Sequence, residues 1–142
     1  MSPTHTITAR FTVASWDETV VVDIEGGDAS PPERGFSRAD VSYAYSGPIE
    51  GTSIVSYLIS YRPGVAPVAG FERFEGSIDG HDGSLVFQHE GEHDADGVRA
   101  TLTIVDGLGT GGLETMTGEA TIDLSGHGSA EDGYEISLRY DL

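Results

Sequence analysis

The sequence predicts one all-β domain, a single eight-stranded antiparallel up-and-down barrel spanning residues 1–142. Three observations lead there. No window carries a sustained helical period, whereas runs of alternating or β-branched residues recur along the whole chain. The connections between those runs are of hairpin length and rich in glycine and aspartate. A meander of about eight such strands gains by closing on itself, because closure removes exposed sheet edges. The size fits: 142 residues is an ordinary length for one domain. Hydrophobic residues make up 37% and glycines number 20, a mix suited to strands and turns rather than to a helical bundle.

The elements follow in order. Thr6 to Ala14 alternates, with Ile7, Ala9, Phe11 and Val13 on one face. Thr19 to Ile24 is a second, short β-branched run. Glu25 to Gly35 contains three glycines and two prolines, Pro31 and Pro32, and is expected to be the most mobile connection. Strands are then predicted at Phe36–Ser46, Gly51–Tyr61, Ala69–Ile78, Ser84–His93, Val98–Asp106, Thr117–Leu124 and Tyr134–Asp141. Between them lie turns at Gly47-Pro48, Arg62-Pro63-Gly64, Asp79 to Gly83, Asp94 to Gly97 and Gly126-His127-Gly128. The glycine-rich segment Gly107 to Gly112 reads as a long turn or an irregular crossing.

Turn positions give trial registers. Centring a turn on Gly80-His81 sets Gly76 opposite Leu85, Phe74 opposite Phe87 and Glu72 opposite His89. The Phe74–Phe87 pair marks that face as buried. The other face, with Arg73, Glu75 and Ser77 against Ser84, Val86, Gln88 and Glu90, reads as solvated. The Arg62-Pro63-Gly64 turn sets Ile59 opposite Gly70, Tyr57 opposite Glu72 and Val55 opposite Phe74. Val55, Tyr57, Ile59 and Tyr61 then point inward with Phe74 and Phe87. The outcome is an aromatic interior holding one carboxylate, one imidazole and two phenols. A slip of one residue would turn every one of these side chains outward.

Glu72 and His89 are accordingly the candidate acid/base pair, with Tyr57 as their orienting neighbour. A buried carboxylate must be paired or protonated. A Glu–His pair in an apolar pocket suits proton transfer, but it also serves as a purely structural polar contact. Val55, Ile59, Tyr61, Phe74 and Phe87 are the candidate ligand-lining residues. His5, His81, His93 and His127 fall in or near turns and termini and are expected to be solvated.

Other patterns lead nowhere. His89-Glu90-Gly91-Glu92-His93 matches the H-E-x-x-H zinc-protease string, but that motif works only on a helix. Residues four apart on a strand are about 13 Å apart, too far to share one zinc. Asp79, Asp82, Asp94 and Asp96 resemble calcium-loop residues but lack the EF-hand spacing and closing Glu. The glycine-rich segment has no Lys-Ser/Thr after it, as a phosphate loop needs, and no G-x-S-x-G elbow exists. No metal and no cofactor are expected. Cysteine is absent, which excludes disulfides and thiolate chemistry.

The net charge is −17, and the seven basic residues are all Arg. Such a surface repels nucleic-acid backbones and anionic lipid. No apolar run approaches the roughly 20 residues of a membrane helix, and residues 1–10 carry no signal-peptide pattern. The expected protein is soluble and cytoplasmic, and a homo-oligomer.

Several segments together resemble a family. They are Ser15-Trp16-Asp17-Glu18, Glu50-Gly51, Tyr57-Leu58, Tyr61-Arg62, Gly70 to Gly76, Gly83 to Gly91, and Gly109-Thr110-Gly111 with Gly118. In this order they look like the bacterial domain-of-unknown-function family 3224, over about Thr6 to Leu142. That family is similar in turn to the allene oxide cyclase barrel superfamily, and Gly109 to Gly118 resembles its glycine-rich signature. Met116 stands where dirigent proteins usually have a small residue, so their function is not carried over. The resemblance implies an allene oxide cyclase- or lipocalin-like barrel with an apolar cavity that binds a small lipophilic molecule. Some members of that superfamily steer cyclisations by holding a substrate's conformation. Whether this chain is an enzyme stays open. It is expected to act as a cyclase or isomerase, as a non-catalytic ligand-binding module, or as a solid-core structural domain.

Overall fold

The computed structural model describes residues 4–27, 32–94, 97–123 and 133–142. Parts of the expected Glu25–Gly35 and Asp94–Gly97 connections, and all of Gly126-His127-Gly128, lie outside these. Nine strands form one antiparallel sheet, and no helix occurs among the described residues. They are β1 (His5–Asp23), β2 (Gly35–Ser46), β3 (Ile49–Tyr61), β4 (Ala66–Ile78), β5 (His81–Asp94), β6 (Gly97–Ile104), β7 (Thr110–Gly111), β8 (Thr117–Asp123) and β9 (Tyr134–Asp141). Because β4 also pairs with β5, and β1 with β9, the ladder of long strands closes into a ring.

The two N-terminal runs are not separate strands. They form the single 19-residue β1, which is kinked rather than broken. Its pairing with β2 shifts between Val13 and Ser15 and again between Val20 and Val22. Each shift is a β-bulge, where one extra residue bends a strand. The first bulge changes which residues face inward. Phe11 lies opposite Tyr45 and Val13 opposite Tyr43, but beyond Ala14 it is Trp16, Glu18 and Val20 that face Val41, Ala39 and Ser37. The simple alternation therefore ends at Val13, which is 40% exposed. The ninth strand, β7, arises within the glycine-rich segment expected to be a turn. Thr110 and Gly111 pair with Ser84 and Gly83 of β5, and this contact buries Ser84, which had been placed on a solvated face.

Both trial hairpin registers are displaced. Asp79 and Gly80 both have positive φ, at 50° and 83°, so they form a two-residue primed turn between Ile78 and His81. The wider turn read from the sequence put the centre one residue too late. Phe74 consequently lies opposite Leu85, Glu72 opposite Phe87, and Gly70 opposite His89. At the β3–β4 turn the loop extends to Val65, whose carbonyl accepts a bond from Arg62 Nε at 2.7 Å. Val55 then faces Glu72, Tyr57 faces Gly70 and Ile59 faces Val68. Each register is off by two residues, so every side chain keeps its expected face.

Following paired residues around the ring from Glu18 passes through Ala39, Tyr57, Gly70, His89, Leu102, Ala120 and Leu138. The path rejoins β1 at Ile7. The strands are thus strongly staggered, and the inward residues form one continuous core. Phe11, Tyr43, Tyr45 and Phe74 pack there ring to ring, with Phe11 centred 4.8 Å from Tyr43 and Tyr45 5.4 Å from Phe74. Such aromatic pairs add to the stabilisation from burial.

The two ends of the ring differ. β9 pairs with β1 only over His5–Phe11, whereas β2 accompanies β1 to Asp23. The second half of β1 thus has a single strand partner among the described residues. Its inward side chains reach solvent there. Trp16 is 45% exposed, and Glu18 and Val20 are half-buried.

Candidate functional site

The inward polar residues converge on one hydrogen-bonded chain. Glu72 on β4 and His89 on β5 are diagonal neighbours rather than opposite ones, and their side chains meet, His89 Nε2 to Glu72 Oε1 at 2.6 Å. Gly70 occupies the position between Tyr57 and His89. A Cβ there would lie 2.3 Å from the Ser56 carbonyl oxygen and 3.0 Å from the Tyr57 ring. With glycine in place, the Tyr57 ring sits edge-on to His89 and its hydroxyl reaches Nδ1 at 3.1 Å. Tyr43 OH meets Tyr57 OH at 2.7 Å, and Tyr45 OH donates to Glu72 Oε2. Glu72 is 0% exposed and His89 1%.

Counting protons fixes the direction of this chain. Burial raises the pKa values of Tyr43, Tyr45 and Tyr57 well above the ordinary phenol value of 10.0, so all three keep their protons. With one proton on the Glu72–His89 pair, four donor protons serve four bonds. One arrangement then satisfies them all: Tyr43 donates to Tyr57, Tyr57 to His89 Nδ1, His89 Nε2–H to Glu72, and Tyr45 to Glu72. One further proton on the pair would reverse the Tyr57 and Tyr43 bonds and leave the Tyr43 O–H without an acceptor. Ser53 Oγ is also buried beside this network and makes no hydrogen bond of normal geometry. The arrangement is a hydrogen-bonded chain with one polarity, not a scatter of polar contacts, and it is called the relay below.

The raised phenols set a pH limit. A group whose pKa is higher in the folded chain than in the unfolded one stabilises the fold below the unfolded pKa, and that contribution disappears as pH rises through the folded pKa. Tyr61 is also raised, by burial and then by Glu18, and Tyr140 is pushed up to about 12 by burial and then by Asp79. Stability is therefore expected to hold steady up to pH ~10 and to fall continuously above it. Thermal melts from pH 8 to 12 check this. The Tyr45→Phe variant should show a shallower alkaline decline than the wild type.

Every residue singled out from the sequence lies on the inner face. Tyr57, Glu72 and His89 come together directly. Val55, Ile59, Phe74 and Phe87 are buried around them, and Tyr61 is half-buried nearer the open end. Sequence reasoning missed Tyr43 and Tyr45, which complete the relay, and it missed a second polar cluster. There Glu18 Oε2 accepts from Ser37 Oγ at 2.6 Å and from Tyr61 OH at 2.8 Å, while Oε1 accepts from Trp16 Nε1 at 3.1 Å. The Trp16 ring lies over Tyr57 with centroids 6.3 Å apart, linking this cluster to the relay. His93, expected to be solvated, is half-buried against Tyr61 at 6.0 Å. Alternation after Phe11 points to Ser15, Asp17 and Thr19 instead, and only the bulge at Ala14 brings Trp16 and Glu18 inward.

No group of three or more His, Asp or Glu side chains is arranged to hold a metal among the described residues. A groove of about 940 Å³, lined in part by Arg10, Glu90, Glu92, Arg99 and Glu135, lies on the outer face of the sheet, away from the relay. No helix among the described residues is long and apolar enough to cross a membrane.

Comparison with known proteins agrees with this fold. A crystal structure of a protein of unknown function from the DUF3224 family of Shewanella oneidensis MR-1 superposes with a TM-score of 0.72. It shares 20% identity and covers 99% of this chain and 98% of its own, a likeness of fold. No curated protein matches the sequence. The family model for "Protein of unknown function (DUF3224)" matches residues 7–138, nearly the whole chain, and the protein belongs to that family.

Proposed function

We propose that the closed ring works as a barrel whose open end binds a small lipophilic molecule, with the Tyr43–Tyr57–His89–Glu72–Tyr45 relay beneath it as the acid/base group. The observation that carries this reading is the gradient of exposure along the inner face. Around the relay the inward side chains are sealed, with Glu72 at 0%. At and beyond the Ala14 bulge the inward Val13, Trp16, Glu18 and Val20 of β1, with Tyr61 at the end of β3, meet solvent, and this apolar and aromatic surface is what we read as a cup. Concave, mostly apolar sites with a few converging polar groups are the usual form of small-molecule sites. The resemblance of Gly109 to Gly118 to allene oxide cyclase barrels is consistent with a ligand inside.

Chemistry in such a site would come mainly from holding the ligand's conformation. Tyr57 is the relay member beneath the Trp16 ring. A ligand that displaces Trp16 would meet its hydroxyl, and through it His89 and Glu72 could take or return a proton. Ile59, Phe74, Phe87 and Val55 would form the apolar wall deeper in.

The chain has a single tryptophan, so Trp16 reports on the cup directly. Titration with the neutral dye N-phenyl-1-naphthylamine is expected to show saturable energy transfer from Trp16 at one dye per chain. Val20→Arg should abolish it without unfolding the protein, since Val20 is only half-buried. Absence of saturable transfer in the folded wild type would refute the cup.

A further inference from the structure

We infer that the cup selects lipophilic molecules bearing an ammonium group, and that Glu18 is the residue that recognises it. This rests on the cup reading above and names the ligand class of that site. Glu18 is the carboxylate that the Ala14 bulge turns to the inner face, among Val13, Trp16, Val20 and Tyr61. It is not free to swing into solvent, because Trp16 Nε1, Ser37 Oγ and Tyr61 OH all hold it. Three neutral donors leave its negative charge uncompensated, since none brings a positive charge. A carboxylate has about four acceptor positions, so one stays open on Oε1, which takes the Trp16 bond alone.

The same three contacts prepare the surroundings for a cation. The indole N–H points at Glu18, so the tryptophan ring stands beside the carboxylate with much of its surface exposed. A cation near an indole face is attracted by the ring as well as by the carboxylate, more strongly where water is partly excluded. Burial and Glu18 keep the Tyr61 phenol protonated, so it adds no competing charge. An anionic ligand would meet Glu18 head-on. A neutral one would gain only the apolar contacts with Val13, Val20 and the rings. The chain's overall charge of −17 favours cations everywhere on the surface, so the test must separate Glu18 from that background.

Octyltrimethylammonium, 1-octanol and octyl sulfate share one tail and differ in head charge. Binding of each, below its aggregation concentration and at fixed ionic strength, is read from Trp16 emission. The ammonium probe is expected to bind about tenfold more tightly than the alcohol, and the sulfate more weakly than either. Glu18→Gln keeps acceptors for Ser37 and Tyr61 and should bring the ammonium probe to within about twofold of the alcohol, with alcohol binding retained. Glu114→Gln, an exposed carboxylate distant from the cup, should leave the preference intact. An ammonium preference that survives in Glu18→Gln, or equal binding of ammonium and alcohol by the wild type, would overturn the assignment while leaving the cup in place. Failure of all three probes to bind would overturn the cup itself.

Discussion

His89→Ala is expected to destabilise the protein by about 3–5 kcal/mol, because it opens a cavity in the core and leaves a buried carboxylate without one of its two hydrogen-bond donors. The imidazole touches both halves of the relay, Tyr57 at 3.1 Å and Glu72 at 2.6 Å. Its removal leaves the Tyr57 hydroxyl without its acceptor and Glu72 with Tyr45 alone. Both lie where water cannot replace the lost bond, since Glu72 is wholly buried. The double variant Glu72→Gln/His89→Ala should be less destabilised than His89→Ala, because no buried charge then remains. Urea unfolding of the three proteins decides it. If the double variant is the less stable, or if His89→Ala costs under 1 kcal/mol, the relay does not hold a charged Glu72.

Phe74→Ala should be comparably severe, about 3–5 kcal/mol, through a different cause. Phe74 has no exposed surface and meets the edge of Tyr45 at 5.4 Å. Truncation opens a cavity beside the phenol that donates to Glu72, so the loss includes both packing and the positioning of Tyr45. The urea midpoint should fall while the denaturant slope stays unchanged, as expected when folded and unfolded surfaces are otherwise the same. Phe71→Ala, three residues earlier and on the outward face at 58% exposure, should change stability by no more than about 0.5 kcal/mol. Equal effects at the two positions would mean that the face assignment of β4 is wrong.

That assignment was readable from the sequence because it depends on parity. Misplacing a hairpin centre by one residue shifts the pairing by two, and alternating side chains stay on their faces. Glu72 and His89 were thus found together although the pairing that first joined them is wrong. Asp79-Gly80 is a strong two-residue hairpin signal, but Asp82-Gly83 follows at once and extends the apparent turn. A bulge, in contrast, changes parity without a distinctive residue. Ala14 looks like any strand residue, so the inward turn of Trp16 and Glu18 was not legible. Tyr43 and Tyr45 lay within a predicted strand, but no register tied β2 to the turns that were used. The pairing of Thr110 and Gly111 with β5 joins residues 26 and 28 positions apart in the chain and has no local signature.

The relay and the cup meet where the Trp16 ring lies over Tyr57, and their coupling is the central claim. Nitrogen-15 NMR of the His89 side chain at pH 7, with and without saturating N-phenyl-1-naphthylamine, tests it most directly. In the free protein Nε2 should show a protonated resonance and Nδ1 an unprotonated one, as the donor count requires. Filling the cup should shift the Nδ1 resonance through Tyr57. Two protonated nitrogens in the free protein, or an Nδ1 resonance unmoved by bound dye, would contradict the account.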